Sequence, residues 1–184
     1  MVHRHNHYEA AFEAYLRCRR IPYVAVDEAR RSLIGEETLK SLDFIVSPQR
    51  AVLENAVARW LVDVKGRRFS SGPRRKLWNN WSTNDDLKSL ARWEELFGPP
   101  FHAALVFAYN VEGDLAPLPP EQMFEHRGGL YGFVAISLDL YAAWATRLSK
   151  RWDTVSMPTE RFRELAQPAD VFFGVTTAAE SPGM

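Results

Sequence analysis

The sequence predicts an α/β fold in which one central mixed sheet is flanked by helices. Three observations predict it. Large apolar residues recur at helical spacing near the start, short β-branched and aromatic runs of strand length follow, and the elements come in the order helix, three strands, helix, two strands, helix. With 184 residues, of which 46% are hydrophobic and 12% aromatic, the chain has material for a packed core. We read 1–184 as one domain, with a core over about 8–110, an extension of sheet and helices over 112–175, and a loose tail over 176–184.

The first helix rests on Tyr8, Phe12, Tyr15 and Leu16, whose spacing puts four large groups on one side. Glu9 borders that stripe, whereas Glu13 lies further out toward solvent. Pro22 ends this region, residues 23–26 read as a first strand, and 27–41 have helical character. Residues 42–46 form a second strand and 60–65 a third, closed by Gly66, with a short connection over 49–59 between them. Residues 66–84, rich in Gly, Ser, Asn and Arg, read as a long loop. A helix follows from Asp85 with Leu87, Leu90, Ala91 and Phe97 inward, then strands at 101–111 and 131–138. The last strand leads into a helix with Tyr141, Trp144, Ala145, Leu148 and Trp152 on one side, and a final short helix starts near Pro158.

Composition narrows the function classes. The single cysteine, Cys18, excludes an internal disulfide and a multi-cysteine zinc site, which fits a reducing compartment and a cytoplasmic location. The start has no apolar run behind its basic residues, so no secretory leader is expected. The apolar stretch 130–148 contains Asp139 and Arg147, so it is not read as a membrane span. Net charge is zero, from 23 basic and 23 acidic residues, yet its distribution is uneven. Arg59, Lys65, Arg67, Arg68, Arg74, Arg75 and Lys76 cluster against the single acid Asp63, while Glu112, Asp114, Glu121 and Glu125 form an acidic stretch.

The third strand carries the chemistry. Side chains two apart on a strand share a face and lie roughly 6.6 Å apart, so Asp63 and Lys65 point the same way while Trp60, Val62 and Val64 point into apolar packing. Charges on so hydrophobic a strand need partners or a task. Asp43 adds a second acid at the start of the preceding strand. If the two strands pair, two carboxylates and an ammonium converge. That set suits phosphodiester hydrolysis with Mg²⁺ or Mn²⁺, for which Asp43, Asp63 and the backbone carbonyl of Val64 are the candidate ligands. Lys65 would stabilise charge on the nucleophile and phosphorus, and Glu9 would bind a second ion or orient the water.

These pieces resemble the PD-(D/E)XK nuclease superfamily, and its archaeal Holliday junction resolvases most closely. Glu9 with Phe12 and Leu16, Asp43 in LDFIV, and Asp63 and Lys65 in LVDVKGR carry the resemblance, followed by the helix DLKSLARWEELFG and the strand AALVFAY. It covers roughly residues 8–110 and implies a restriction-endonuclease-like three-layer fold with metal-dependent endonucleolytic cleavage, DNA being the expected substrate. Asp stands where Glu is commoner, no proline precedes Asp43, and the interval from Asp43 to Asp63 is longer than in compact resolvases. The stretch from His7-Tyr8-Glu9 to Glu13 also resembles an uncharacterised bacterial group named for its HYExAFE signature, which implies no activity. Pairing of two copies is a further expectation, since related nucleases often work as dimers.

Alternatives stand beside each assignment. A degenerate relative could bind nucleic acid or a partner without cutting. His3, His5 and His7 either bind a metal together or belong to a flexible leader, and His7 alone could touch the site. Trp78 and Trp81 either stack on unpaired bases or pin the loop to the core. Arg67, Arg68, Arg74, Arg75 and Lys76 either follow a phosphate backbone or form a solvated charge run.

Overall fold

The computed structural model describes residues 6–26, 33–34, 37–48, 52–53, 56–71 and 77–175. Helix α1 (His7–Cys18) begins where the Asn6 side chain accepts the Tyr8 N–H, and it buries Ala11, Phe12, Tyr15 and Leu16. The chain then forms β1 (Tyr23–Ala25), a hairpin of β2 (Leu33–Ile34) and β3 (Glu37–Thr38), β4 (Phe44–Val46), and a second hairpin of β5 (Val52–Leu53) and β6 (Ala56–Val57). Among the described residues, β2 and β3 stand where helical character was expected within 27–41, and β5 and β6 pair within the short connection expected over 49–59.

Strand β7 (Arg59–Ser70) pairs in parallel with β9 (Phe101–Glu112) along its whole length, from Arg59 opposite Phe101 to Ser70 opposite Glu112. Between them come β8 (Ser82–Thr83) and α2 (Asn84–Phe97). The third strand therefore runs five residues past Lys65, and 66–70 are not loop. A long parallel partner outweighs the local polarity of Gly66, Arg67 and Arg68. After β9 follow a short 3₁₀ turn at Pro120–Gln122, β10 (Met123–His126), β11 (Gly129–Ser137) and α3 (Leu138–Trp144). The chain closes with β12 (Thr146–Ser149), β13 (Thr154–Ser156), α4 (Thr159–Leu165), β14 (Gln167–Pro168) and α5 (Ala169–Phe172). The helix expected to reach Trp152 ends at Trp144, and 146–149 pair with 154–156 as strands instead. The periodicity there misled because Leu148 and Trp152, 58% and 68% exposed, have no buried face to serve.

The main sheet has the order β1-β4-β7-β9-β11-β10, with β14 on β11; β7 and β9 run parallel and the other pairs antiparallel. Residues 123–137 thus extend the same sheet as the N-terminal strands. A second sheet has the order β12-β13-β8. Strand alternation splits the core in two. One layer packs α1 and Phe173 against Trp60, Val62 and Val64, with Ala104, Val106 and Phe133 beside them. The other packs Leu90 of α2, Leu138 and Tyr141 of α3, and Phe162 of α4 against Leu61, Phe69, Leu105 and Phe107. Helices on both faces make three layers around a mixed sheet. Among the described residues no helix is long and apolar enough to cross a membrane.

Candidate functional site

The site arises where β4 stops and β7 continues. The ladder between them pairs Val46 with Trp60, Ile45 with Leu61 and Phe44 with Val62, and the Asp43 N–H adds a bond to the Val62 carbonyl at 2.9 Å. One residue pair further on, β7 has no strand partner on that edge among the described residues. The Asp43 carboxylate takes the place of one, accepting the Val64 N–H on Oδ2 at 2.6 Å while only 4% exposed. A buried carboxylate held by a backbone donor is fixed in position rather than free to swing.

Asp63 and Lys65 occupy the odd-numbered face of β7, toward α2. Lys65 Nζ lies 2.7 Å from Asp63 Oδ2 and 2.9 Å from Oδ2 of Asp86, a residue of α2. Lys40 Nζ meets the other Asp86 oxygen at 2.9 Å and Asp85 at 3.1 Å. The segment carrying Lys40 is tied to α2 by two bonds: its N–H donates to Ser89 Oγ at 3.3 Å, and Trp93 Nε1 donates to its carbonyl at 2.8 Å. Asp43, Asp63, Lys65, Asp86, Lys40 and Trp93 line one cavity of about 230 Å³.

Electrostatics follow from this packing. Burial alone would lower the Lys65 pKa, but the charges of Asp63 and Asp86 outweigh it and hold the ammonium above its ordinary value. Burial alone would raise Asp86, but Lys65 and the hydrogen bonds from Lys40 and Thr83 hold its carboxyl well below the usual range. Lys40 is raised, mainly by its bond to Asp86.

The cavity brings Asp43, Asp63 and Lys65 together, and it does not include Glu9. The reason is geometric: α1 packs on the face of Val62 and Val64, while Asp63 and Lys65 project from the other. Glu9 is half-buried and accepts from Asn6 Nδ2 at 2.9 Å at the start of α1. The third carboxylate lining the cavity is instead Asp86 of α2, which the sequence reading missed. Glu13, expected in solvent, accepts the Tyr23 hydroxyl at 2.9 Å, and His7 shares a 2.8 Å hydrogen bond with the Tyr131 hydroxyl rather than reaching the cavity.

The candidate basic surface divides. Arg67 turns back, its guanidinium 3.9 Å from the Trp81 ring centroid and donating to the Trp81 and Gly66 carbonyls. Trp78 packs edge-on against Phe69 and Tyr109, pinning its loop, whereas Trp81 stays 39% exposed. Arg68 is 68% exposed, 3.5 Å from Glu112. Arg74, Arg75 and Lys76 lie outside the described residues, as do His3, His5 and the tail 176–184. In α2 the inward residues are Ser89 and Leu90, with Leu87 and Trp93 half-buried; Ala91 and Phe97 face outward, correcting the inward face read for them.

No family model matches the chain. No curated protein matches it either. Among solved structures the chain is similar to Archaeoglobus fulgidus Hjc, described as a Holliday junction resolvase from an archaeal hyperthermophile, at 11% identity over 93% of this chain and 96% of that one, with a TM-score of 0.49.

Gly66 shows how tightly α1 and β7 meet on the sheet face opposite the cavity. A Cβ there would overlap the Tyr8 ring. Gly66→Ala is expected to lower stability by about 1–3 kcal/mol through overpacking, read as a lower urea midpoint. An unchanged midpoint would mean that Tyr8 swings aside without cost.

Proposed function

We propose that the protein hydrolyses phosphodiester bonds in nucleic acid, DNA being the expected substrate, with a divalent cation at the Asp43–Asp63 cavity. The observation that carries this reading is the convergence of a buried Asp43, Asp63 and Lys65 on one polar cavity at the end of the β4–β7 ladder. The resemblance of the same residues to the PD-(D/E)XK arrangement points the same way.

The donor set suits Mg²⁺ or Mn²⁺. Both carboxylates are hard oxygen ligands, and the N–H and C=O of one strand residue face the same edge, so the Val64 carbonyl faces the edge occupied by Asp43. Among the described residues no three His, Cys, Asp or Glu side chains are grouped to hold an ion. Two carboxylates and a carbonyl are enough for a cation that keeps several waters. When bound, such an ion offsets phosphate charge and lowers the pKa of a coordinated water. The chain's own residues do the rest. Asp43 is held rigid by the Val64 N–H, Asp63 faces the same cavity, and the Lys65 ammonium offsets negative charge on the attacked phosphate. Trp81 provides an exposed ring for unpaired bases.

One observation favours a second reading, a noncatalytic binding module. Lys65 is flanked by carboxylates on both sides, which a purely structural ion network would also produce. Incubating the protein with plasmid, single-stranded and branched DNA separates the two. Hydrolysis expects nicked or cut product with Mg²⁺ or Mn²⁺ and none with EDTA, whereas binding without metal-dependent product supports the module.

A further inference from the structure

We infer that Asp86 is a positioning residue for Lys65, and that residues 153–155 serve the site by fixing the helix start that carries it. The inference rests on the hydrolase reading and adds to it a job for the C-terminal extension.

Three carboxylates and two ammonium groups line the cavity. Asp86 takes one lysine on each oxygen, Lys40 on Oδ1 and Lys65 on Oδ2, both at 2.9 Å. Lys65 Nζ sits between two carboxylates, 2.7 Å from Asp63 and 2.9 Å from Asp86, so Asp86 is the second anchor that fixes where the ammonium points; without it Lys65 would be held by Asp63 alone.

Asp86 can do this because it cannot move. At the third position of α2 it completes a capping box: Thr83 Oγ1 accepts the Asp86 N–H at 3.1 Å, and Asp86 Oδ2 accepts the Thr83 N–H at 3.2 Å. Ser82 Oγ adds a bond to Oδ2 at 3.3 Å. Ser82 and Thr83 in turn are β8, which pairs with Val155 and Thr154 of β13. The next residue, Asn84, donates its N–H to the Asp153 carbonyl at 2.9 Å and its side chain to the Asp153 carboxylate at 2.6 Å. A chain of contacts therefore runs from β13 through β8 and the helix cap to Asp86 and Lys65.

Asp86→Asn is the direct test, because asparagine keeps an oxygen for the Thr83 N–H while removing the charge that holds Lys65. A positioning role predicts that kcat falls roughly 10–100-fold with KM unchanged, that Asp86→Glu recovers part of it, and that helical circular dichroism stays at the wild-type level. A kcat equal to wild type would overturn the role. A double-mutant cycle on urea midpoints, with Asp86→Asn and Lys65→Met, reads the pair without any activity. Here the combined loss should be smaller than the sum of the single losses, and strict additivity would sink the proposed pairing. If the wild-type protein cuts nothing, the hydrolase reading fails, while the cycle still decides whether Asp86 holds Lys65.

Discussion

Lys65→Met is expected to lower phosphodiester cleavage by roughly 10²–10³-fold while leaving nucleic-acid binding close to wild type. Methionine keeps an unbranched stem on the α2 face of β7 and removes only the ammonium, so the loss reports charge more than packing. The ammonium lies 2.7 Å from Asp63 on a strand whose neighbours Val62 and Val64 are buried, so no solvent cation can take over its position without desolvation. Single-turnover cleavage measures the chemical step, and anisotropy with a labelled oligonucleotide measures binding. Asp63→Asn should lose cleavage with it, because the two side chains face one cavity. A Lys65→Met protein that cuts at the wild-type rate would reduce Lys65 to a counter-ion of Asp63 and Asp86, and the binding-module reading would then be the better account.

Much of this arrangement was legible because β7 obeys the two-residue period of strands. Trp60, Val62 and Val64 face one helix layer, and Asp63 and Lys65 the other, as alternation dictates. Asp43 was legible as an acid at the opening of an apolar strand. Asp86 was not, since polar residues at 83–86 are what any helix start needs, and capping absorbed the signal. Its side chain does both jobs, one oxygen serving the cap and Lys65, the other Lys40. Glu9 was misplaced because helical spacing fixes which face of α1 is buried but not which face of the sheet α1 covers. The extent of β7 was misjudged for a similar reason. Gly66 and two arginines look like loop locally, and only the pairing with β9, together with Arg67 folding onto Trp81, keeps them extended.

Phe12→Ala should be the most damaging single truncation for stability, at about 3–5 kcal/mol, a large share of the roughly 5–15 kcal/mol typical of a native protein. Phe12 is fully buried, and its ring lies 5.3 Å from Phe133 and 5.4 Å from Phe44, both edge-on, 5.8 Å from Tyr15 and 6.3 Å from Phe173. These partners come from β11, β4, α1 itself and the residue after α5, so one side chain joins the first helix to both halves of the chain. Their rings cannot all close the gap, because moving one opens space behind another. The urea midpoint should fall with the slope unchanged, which marks lost stability rather than altered compactness. The effect should also reach the cavity on the opposite face. Phe44 follows Asp43 directly and pairs with Val62, so a loosened Phe44 relaxes the carboxylate that holds the Val64 N–H. Cleavage per folded molecule should therefore drop even where Phe12→Ala remains mostly native. A midpoint shift smaller than that of Leu16→Ala, another fully buried α1 truncation, would show that α1 docks through its far end instead.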